Sequence, residues 1–172
     1  MVIFSTLVEV LTYDIISRMT NKIMIRKAKL EELNRVSYVT KIAYKSPFIK
    51  NGIVTKAHQS NELKEDFLYK KVGILVAVSS GKIVGVQKYK ELEDKKLYIF
   101  QLAVLKTYRG NGIGTQLLKE TEKIAKEMKL KMVVLDCMQE KHLPEYYETL
   151  GYKIDEVKKQ KDYHMVYMSK VI

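Results

Sequence analysis

The chain has 172 residues, 47% apolar and 30% charged, with two prolines and one cysteine. This suits one domain with a full hydrophobic core and excludes a disordered chain and any intrachain disulfide. The net charge is +11, yet the lysines behind it are dispersed along the chain. Dispersion speaks for a solvated surface and against a nucleic-acid groove. An anionic small molecule is a simpler beneficiary of the positive field.

Residues 1–22 read as a helical N-terminal extension, with Leu7, Val8, Leu11, Ile15 and Ile16 able to share a face. Glu9 and Asp14 interrupt the apolar run, which lacks a basic leading segment and a cleavage site. It is also too short and too charged to span a bilayer, so no membrane association and a cytoplasmic location are expected. The domain proper is expected over residues 23–172. It opens with a strand at Met24–Ala28, followed by a helix over Leu30–Tyr44 with Leu33, Val36, Val39, Ile42 and Ala43 inward. A helix end is expected at Ser46-Pro47, because the residue before proline avoids the helical region. Residues 48–58 read as irregular, and a second helix is expected from an N-cap at Ser60 to Lys71.

The period then changes. Gly73–Val78, Ile83–Lys90 and Lys96–Leu105 read as an antiparallel meander, with turns at Ser79–Lys82 and Asp94–Lys96. A strongly amphipathic helix over Gly112–Met128 has Ile113, Leu117, Leu118, Thr121, Ile124, Ala125 and Met128 on one face. Glu122 and Lys126 are spaced to pair across one turn. A buried strand at Met132–Cys137 follows, then a short helix at Leu143–Leu150 with Pro144 early in it. Strands at Tyr152–Val157 and Tyr163–Lys170 end the chain. The order β-α-α-β-β-β-α-β-α-β-β defines a mixed α/β (α+β) fold.

Between the third meander strand and the long helix lies Arg109-Gly110-Asn111-Gly112-Ile113-Gly114-Thr115. Glycines allow close backbone approach to a ligand. The first amides of a helix lack internal partners, and with the helix dipole they form an anion site. Arg109 adds a permanent charge suited to phosphate, and Thr115 a hydroxyl. The spacing excludes a nucleotide P-loop, which ends Gly-Lys-Ser/Thr. It also excludes the dinucleotide fingerprint, whose third glycine would fall at the position of Thr115.

The segment from Leu102 to Leu118 resembles the core motif of the GCN5-related N-acetyltransferase (GNAT) family, Arg/Gln-x-x-Gly-x-Gly/Ala after a strand, through Arg109, Gly112 and Gly114. A second element, Tyr146-Tyr147-Glu148-Thr149-Leu150-Gly151-Tyr152, is similar to the family's late aromatic-Tyr-Glu-x-Leu-Gly-aromatic signature. The resemblance implies a mostly antiparallel sheet flanked by helices, in which the strands near residues 96–105 and 131–137 splay apart at a bulge near Leu102. It implies acetyl-CoA as acyl donor and an amine as acceptor, with no metal. Pantetheine would lie along Leu102, Ala103 and Val104. The pyrophosphate would lie on the amides of Arg109, Gly110, Asn111, Gly112, Ile113, Gly114 and Thr115. The Val104 N–H is implied as the oxyanion donor and Tyr147 as the acid that protonates the departing thiolate. Two departures are visible. Tyr98–Gln101 carries no carboxylate where many relatives place a glutamate, and Glu91 and Glu93 fall toward the turn. Glu140 stands where relatives often have a cofactor-contacting asparagine.

His58, His142 and His164 show no metal-ligand spacing. Cys137 reads as a buried thiol rather than an acyl-carrying nucleophile. Residues 47–61 read as the segment that selects the acceptor. The apolar N-terminal helix and a C-terminal edge strand are surfaces on which a homodimer could form. The alternative to an enzyme is a non-catalytic acyl-CoA-binding regulatory module of the same fold.

Overall fold

A computed structural model describes residues 23–44, 60–69 and 72–172. The extension read over 1–22, and the acceptor segment up to residue 59, lie outside the described residues. Strand β1 (Met24–Lys27) leads through a 3-10 turn (Leu30–Glu32) into α1 (Leu33–Ala43). Helix α2 (Ser60–Tyr69) precedes the meander of β2 (Gly73–Ser79), β3 (Lys82–Leu92) and β4 (Lys96–Val104). Helix α3 (Ile113–Glu127), β5 (Met132–Met138), α4 (Leu143–Glu148), β6 (Lys153–Lys159) and β7 (His164–Val171) complete it. The element order is the one read from the sequence. Among the described residues no helix is long and apolar enough to cross a membrane.

The strands form one sheet in the order β1-β2-β3-β4-β5-β7-β6, antiparallel except for β4 beside β5. Strand alternation divides the core between its two faces. Leu75, Ala77, Leu97, Ile99, Val133 and Leu135 pack with Ile113, Leu117, Leu118 and Ile124 of α3. Ile74, Val76, Val78 and Val86 pack with Leu33, Val36 and Val39 of α1 and Leu63 of α2. Helix α3 comes close because β3 is bare at Gly85, where an added Cβ would stand 3.1 Å from Ile113 and 3.3 Å from Leu117.

Three local expectations are corrected. Ile42 is 37% exposed; the inward place one turn after Val36 belongs to Thr40, whose hydroxyl donates to the Val36 carbonyl at 2.9 Å. Met128 is 42% exposed because α3 ends one residue before it. Glu122 pairs not with Lys126 but with Lys170 of β7 at 2.8 Å, and accepts from the Tyr152 hydroxyl at 3.1 Å. A partner in the sheet replaces the neighbour one turn along.

The parallel pairing of β4 with β5 runs only from Lys96↔Met132 to Ile99↔Leu135. Immediately beyond it β4 bulges. Lys88 faces Phe100 and Val86 faces Ala103, so Gln101 and Leu102 together oppose Gln87. Gln101 takes the left-handed conformation, φ 55°. The strands therefore diverge where the sequence reading placed the splay.

Two outcomes follow from this packing. Leu117 is fully buried, so Leu117→Ala is expected to cost about 2–5 kcal/mol in chemical denaturation. Glu32 accepts from two Arg26 guanidinium nitrogens, Nη2 at 2.6 Å and Nη1 at 2.8 Å, which hold its carboxyl at about 2. A carboxyl held low stabilises the fold above its unfolded pKa and loses that contribution as pH falls through the folded one. Glu32→Gln should thus lower stability at pH 7, and the difference from the parent should vanish as denaturation curves are taken toward pH 2.

Candidate active site

The loop after β4 makes one 3-10 turn (Lys106–Tyr108) and then unwinds. Gly110 at φ 80° and Gly112 at φ 69° occupy the left-handed region, where a side chain would be strained. Gly112 is the N-cap of α3 and offers no side-chain cap, and the helical ladder opens with Gln116 N–H on the Gly112 carbonyl at 3.0 Å. The amides of Ile113, Gly114 and Thr115 thus precede the internal ladder, at the positive end of a 15-residue helix.

These groups border a cavity of about 1090 Å³ that extends into the divergence of β4 and β5. Leu102, Val104, Arg109, Gly110, Gly112, Ile113, Gly114 and Thr115 line it, together with Tyr44, Met138, Glu140 and Tyr146. Ala103 and Asn111 do not. Ala103 is buried in the sheet, and the Asn111 amide folds back onto the carbonyls of Tyr108 and Arg109 at 3.2 and 3.3 Å. Leu105 donates to the Val84 carbonyl, so alternation turns the backbone groups of Leu102 and Val104 toward the gap. The Leu102 carbonyl accepts the Tyr44 hydroxyl at 3.2 Å and the Val104 carbonyl accepts Arg109 Nε at 3.0 Å. Arg109 Nη2 also reaches the Ala43 carbonyl at 2.9 Å, tying the loop to the end of α1.

Of the two tyrosines in α4, Tyr146 faces the cavity. Its hydroxyl is 3.1 Å from Thr115 Oγ1, and an added Cβ at Gly114 would stand 3.2 Å from it. Tyr147 is 7% exposed and lies behind, its ring 5.2 Å from that of Tyr146 and 5.9 Å from that of Tyr152. Burial, reinforced by the surrounding Tyr44, Cys137, Tyr146 and Asp136, raises its pKa, so the phenol is protonated at neutral pH. Burial likewise pushes the Cys137 thiol up to about 12. Glu140 is engaged by His164, whose backbone N–H and ring Nδ1 lie 2.7 and 2.8 Å from one oxygen. His142 is exposed, and His58 lies outside the described residues. Glu91 belongs to β3, not to the turn.

The sequence reading missed Asp136. It lies on β5, half-buried, one residue past the last β4–β5 pair, and accepts a hydrogen bond from the Tyr98 hydroxyl. A single charge inside the apolar run Met132–Cys137 was the available signal, since such charges are rare in buried strands.

Comparison with known proteins agrees with this architecture. The sequence profile described as Acetyltransferase (GNAT) family matches residues 33–152, and the chain belongs to that family. The PaiA N-acetyltransferase of Thermoplasma acidophilum in complex with coenzyme A is 20% identical with a TM-score of 0.73, covering 88% of this chain and 99% of that one. An aminoglycoside 6'-N-acetyltransferase complexed with coenzyme A is 19% identical with a TM-score of 0.71, covering 86% and 96%. The ribosomal-protein-S18-alanine N-acetyltransferase of Escherichia coli is 14% identical with a TM-score of 0.72, covering 88% and 94%. At these identities the likeness is one of fold.

Cys137 is 6% exposed and its thiol is held protonated, so it should be inert in the folded protein. Ellman's reagent at pH 8 is expected to label it only slowly until denaturant is added.

Proposed function

We propose that this protein is an acetyl-CoA-dependent N-acetyltransferase acting on a primary amine through a ternary complex. The observation that carries the reading is one cavity joining the uncapped start of α3 to the gap between β4 and β5. An anionic pyrophosphate suits the first end and an extended pantetheine arm suits the second. The coenzyme A bound by two structural neighbours of the same fold supports the same donor.

In this reading the amides from Arg109 to Thr115 receive the pyrophosphate, and the backbone groups of Leu102 and Val104 lie along the pantetheine, with Ala103 between them turned into the sheet. Arg109 serves by holding the loop against α1 as well as by its charge. The amine, once its ammonium proton has left to solvent, forms the C–N bond through the freed lone pair, and the Val104 N–H stabilises the oxyanion. The C–S bond breaks with its electron pair going to sulfur. The family signature assigns the proton for that thiolate to Tyr147, which packs directly behind the cavity-facing Tyr146, and the proton released from nitrogen restores it. Burial raises the phenol, so at neutral pH it holds the proton that the thiolate needs.

Coenzyme A release from acetyl-CoA across a panel of amines tests the reading. Tight acetyl-CoA binding with no release for any amine would assign the chain to the binding-module alternative. Tyr147→Phe is expected to lower kcat by roughly 10²-fold or more while acetyl-CoA affinity is unchanged; equal turnover would remove Tyr147 from the role.

A further inference from the structure

We infer that the acceptor is a strongly basic alkylamine, which enters as an ammonium ion and is received by Asp136 among the rings of Tyr98 and Tyr44. The inference deepens the transferase reading above and rests on it.

The first ground is position. Val133, Leu135 and Cys137 face the α3 side of β5, so Asp136 and Met138 face the other. Met138 lines the cavity, and Asp136 stands two residues before it, where β4 has just parted from β5. Tyr44 lines the same cavity from the end of α1.

The second ground is charge. Other partly buried carboxylates in the fold have a cation: Glu32 has Arg26 and Glu122 has Lys170. Asp136 has the Tyr98 hydroxyl, and among the described residues no lysine or arginine forms an ion pair with it. A carboxylate drawn part-way out of water is costly without a counter-charge. In a chain of net charge +11 the lack of a cation on Asp136 among the described residues is not a matter of composition.

The third ground is the lining. Tyr98 stacks on Phe100 with ring centroids 5.5 Å apart. The charge of Asp136 reaches Tyr98, Tyr44 and Tyr147, adding to the burial that raises each phenol. All three are neutral at pH 7, so Asp136, just behind the cavity wall formed by Tyr44 and Met138, is a negative charge set among aromatic rings, apart from Glu140 and Asp162 farther along the wall. That combination attracts an ammonium head on an apolar stem. An arylamine, whose nitrogen is uncharged at neutral pH, gains little from it.

The test pairs 2-phenylethylamine with its isomer 4-ethylaniline and adds an end-blocked lysine-containing peptide, which separates a small amine from a protein side chain as the source. Binding to the CoA-saturated protein is measured by calorimetry, and coenzyme A release from acetyl-CoA in parallel. At least one of the two cations should bind at least about tenfold more tightly than 4-ethylaniline. Asp136→Asn keeps an acceptor for Tyr98 but removes the charge. It should weaken the cation at least about tenfold, leaving acetyl-CoA affinity and thermal unfolding unchanged. Equal binding of the two isomers, no binding of either cation, or indifference to Asp136→Asn would overturn the inference. Amine turnover without these differences overturns it and leaves the transferase reading standing. Asp136-dependent cation binding without coenzyme A release does the reverse.

Discussion

Four residue pairs of parallel sheet hold β4 to β5, and the site exists because there is no fifth. The break is made inside β4, not by a loop. Gln101 adopts φ 55°, a conformation that costs an ordinary residue on the order of 1–2 kcal/mol. Its amide oxygen is also buried and has no hydrogen-bond partner among the described residues. Two packed helical layers hold the strand in place on either side of that defect, so the strain is confined to the point where the sheet opens.

An opened sheet exposes backbone groups that would otherwise be paired, and this fold answers them with side chains. Tyr44 and Arg109 take the carbonyls of Leu102 and Val104. One comes from the end of α1 and the other from the glycine loop, and Arg109 also grips the Ala43 carbonyl of that helix. The two walls of the cavity are thereby fastened to the strand that divides them. Thr115 and Tyr146 do the same across the back, joining the start of α3 to α4.

Most of the fold was legible because its signals are local. The meander turns carry Gly81 and Asp94, residues that tolerate the left-handed backbone found there. Helix α3 announces itself by period, which overruns its end only at Met128. The glycine loop was legible for the same reason, since Gly110 and Gly112 are needed by backbone conformation alone. What stayed hidden depends on contacts between distant segments. Glu122 was paired along its helix in the sequence reading, whereas its partner lies 48 residues away in β7. The family signature directs attention to Tyr147, but only packing shows that Tyr146 is the one on the cavity wall. Asp136 escaped notice because β5, read as a buried strand, alternates buried and half-buried residues, and Asp136 falls among the half-buried ones just past the end of the pairing with β4.

The sheet ends at β6, and it ends in a strand with every residue exposed. Its sequence mixes both signs of charge, with Lys153, Asp155, Glu156, Lys158 and Lys159 around Ile154 and Val157. Any strand adding to this edge would have to strip water from those five charges while gaining only two apolar contacts. Resistance to pairing with a further strand is thus built into the last hairpin, at the far side of the sheet from the gap between β4 and β5.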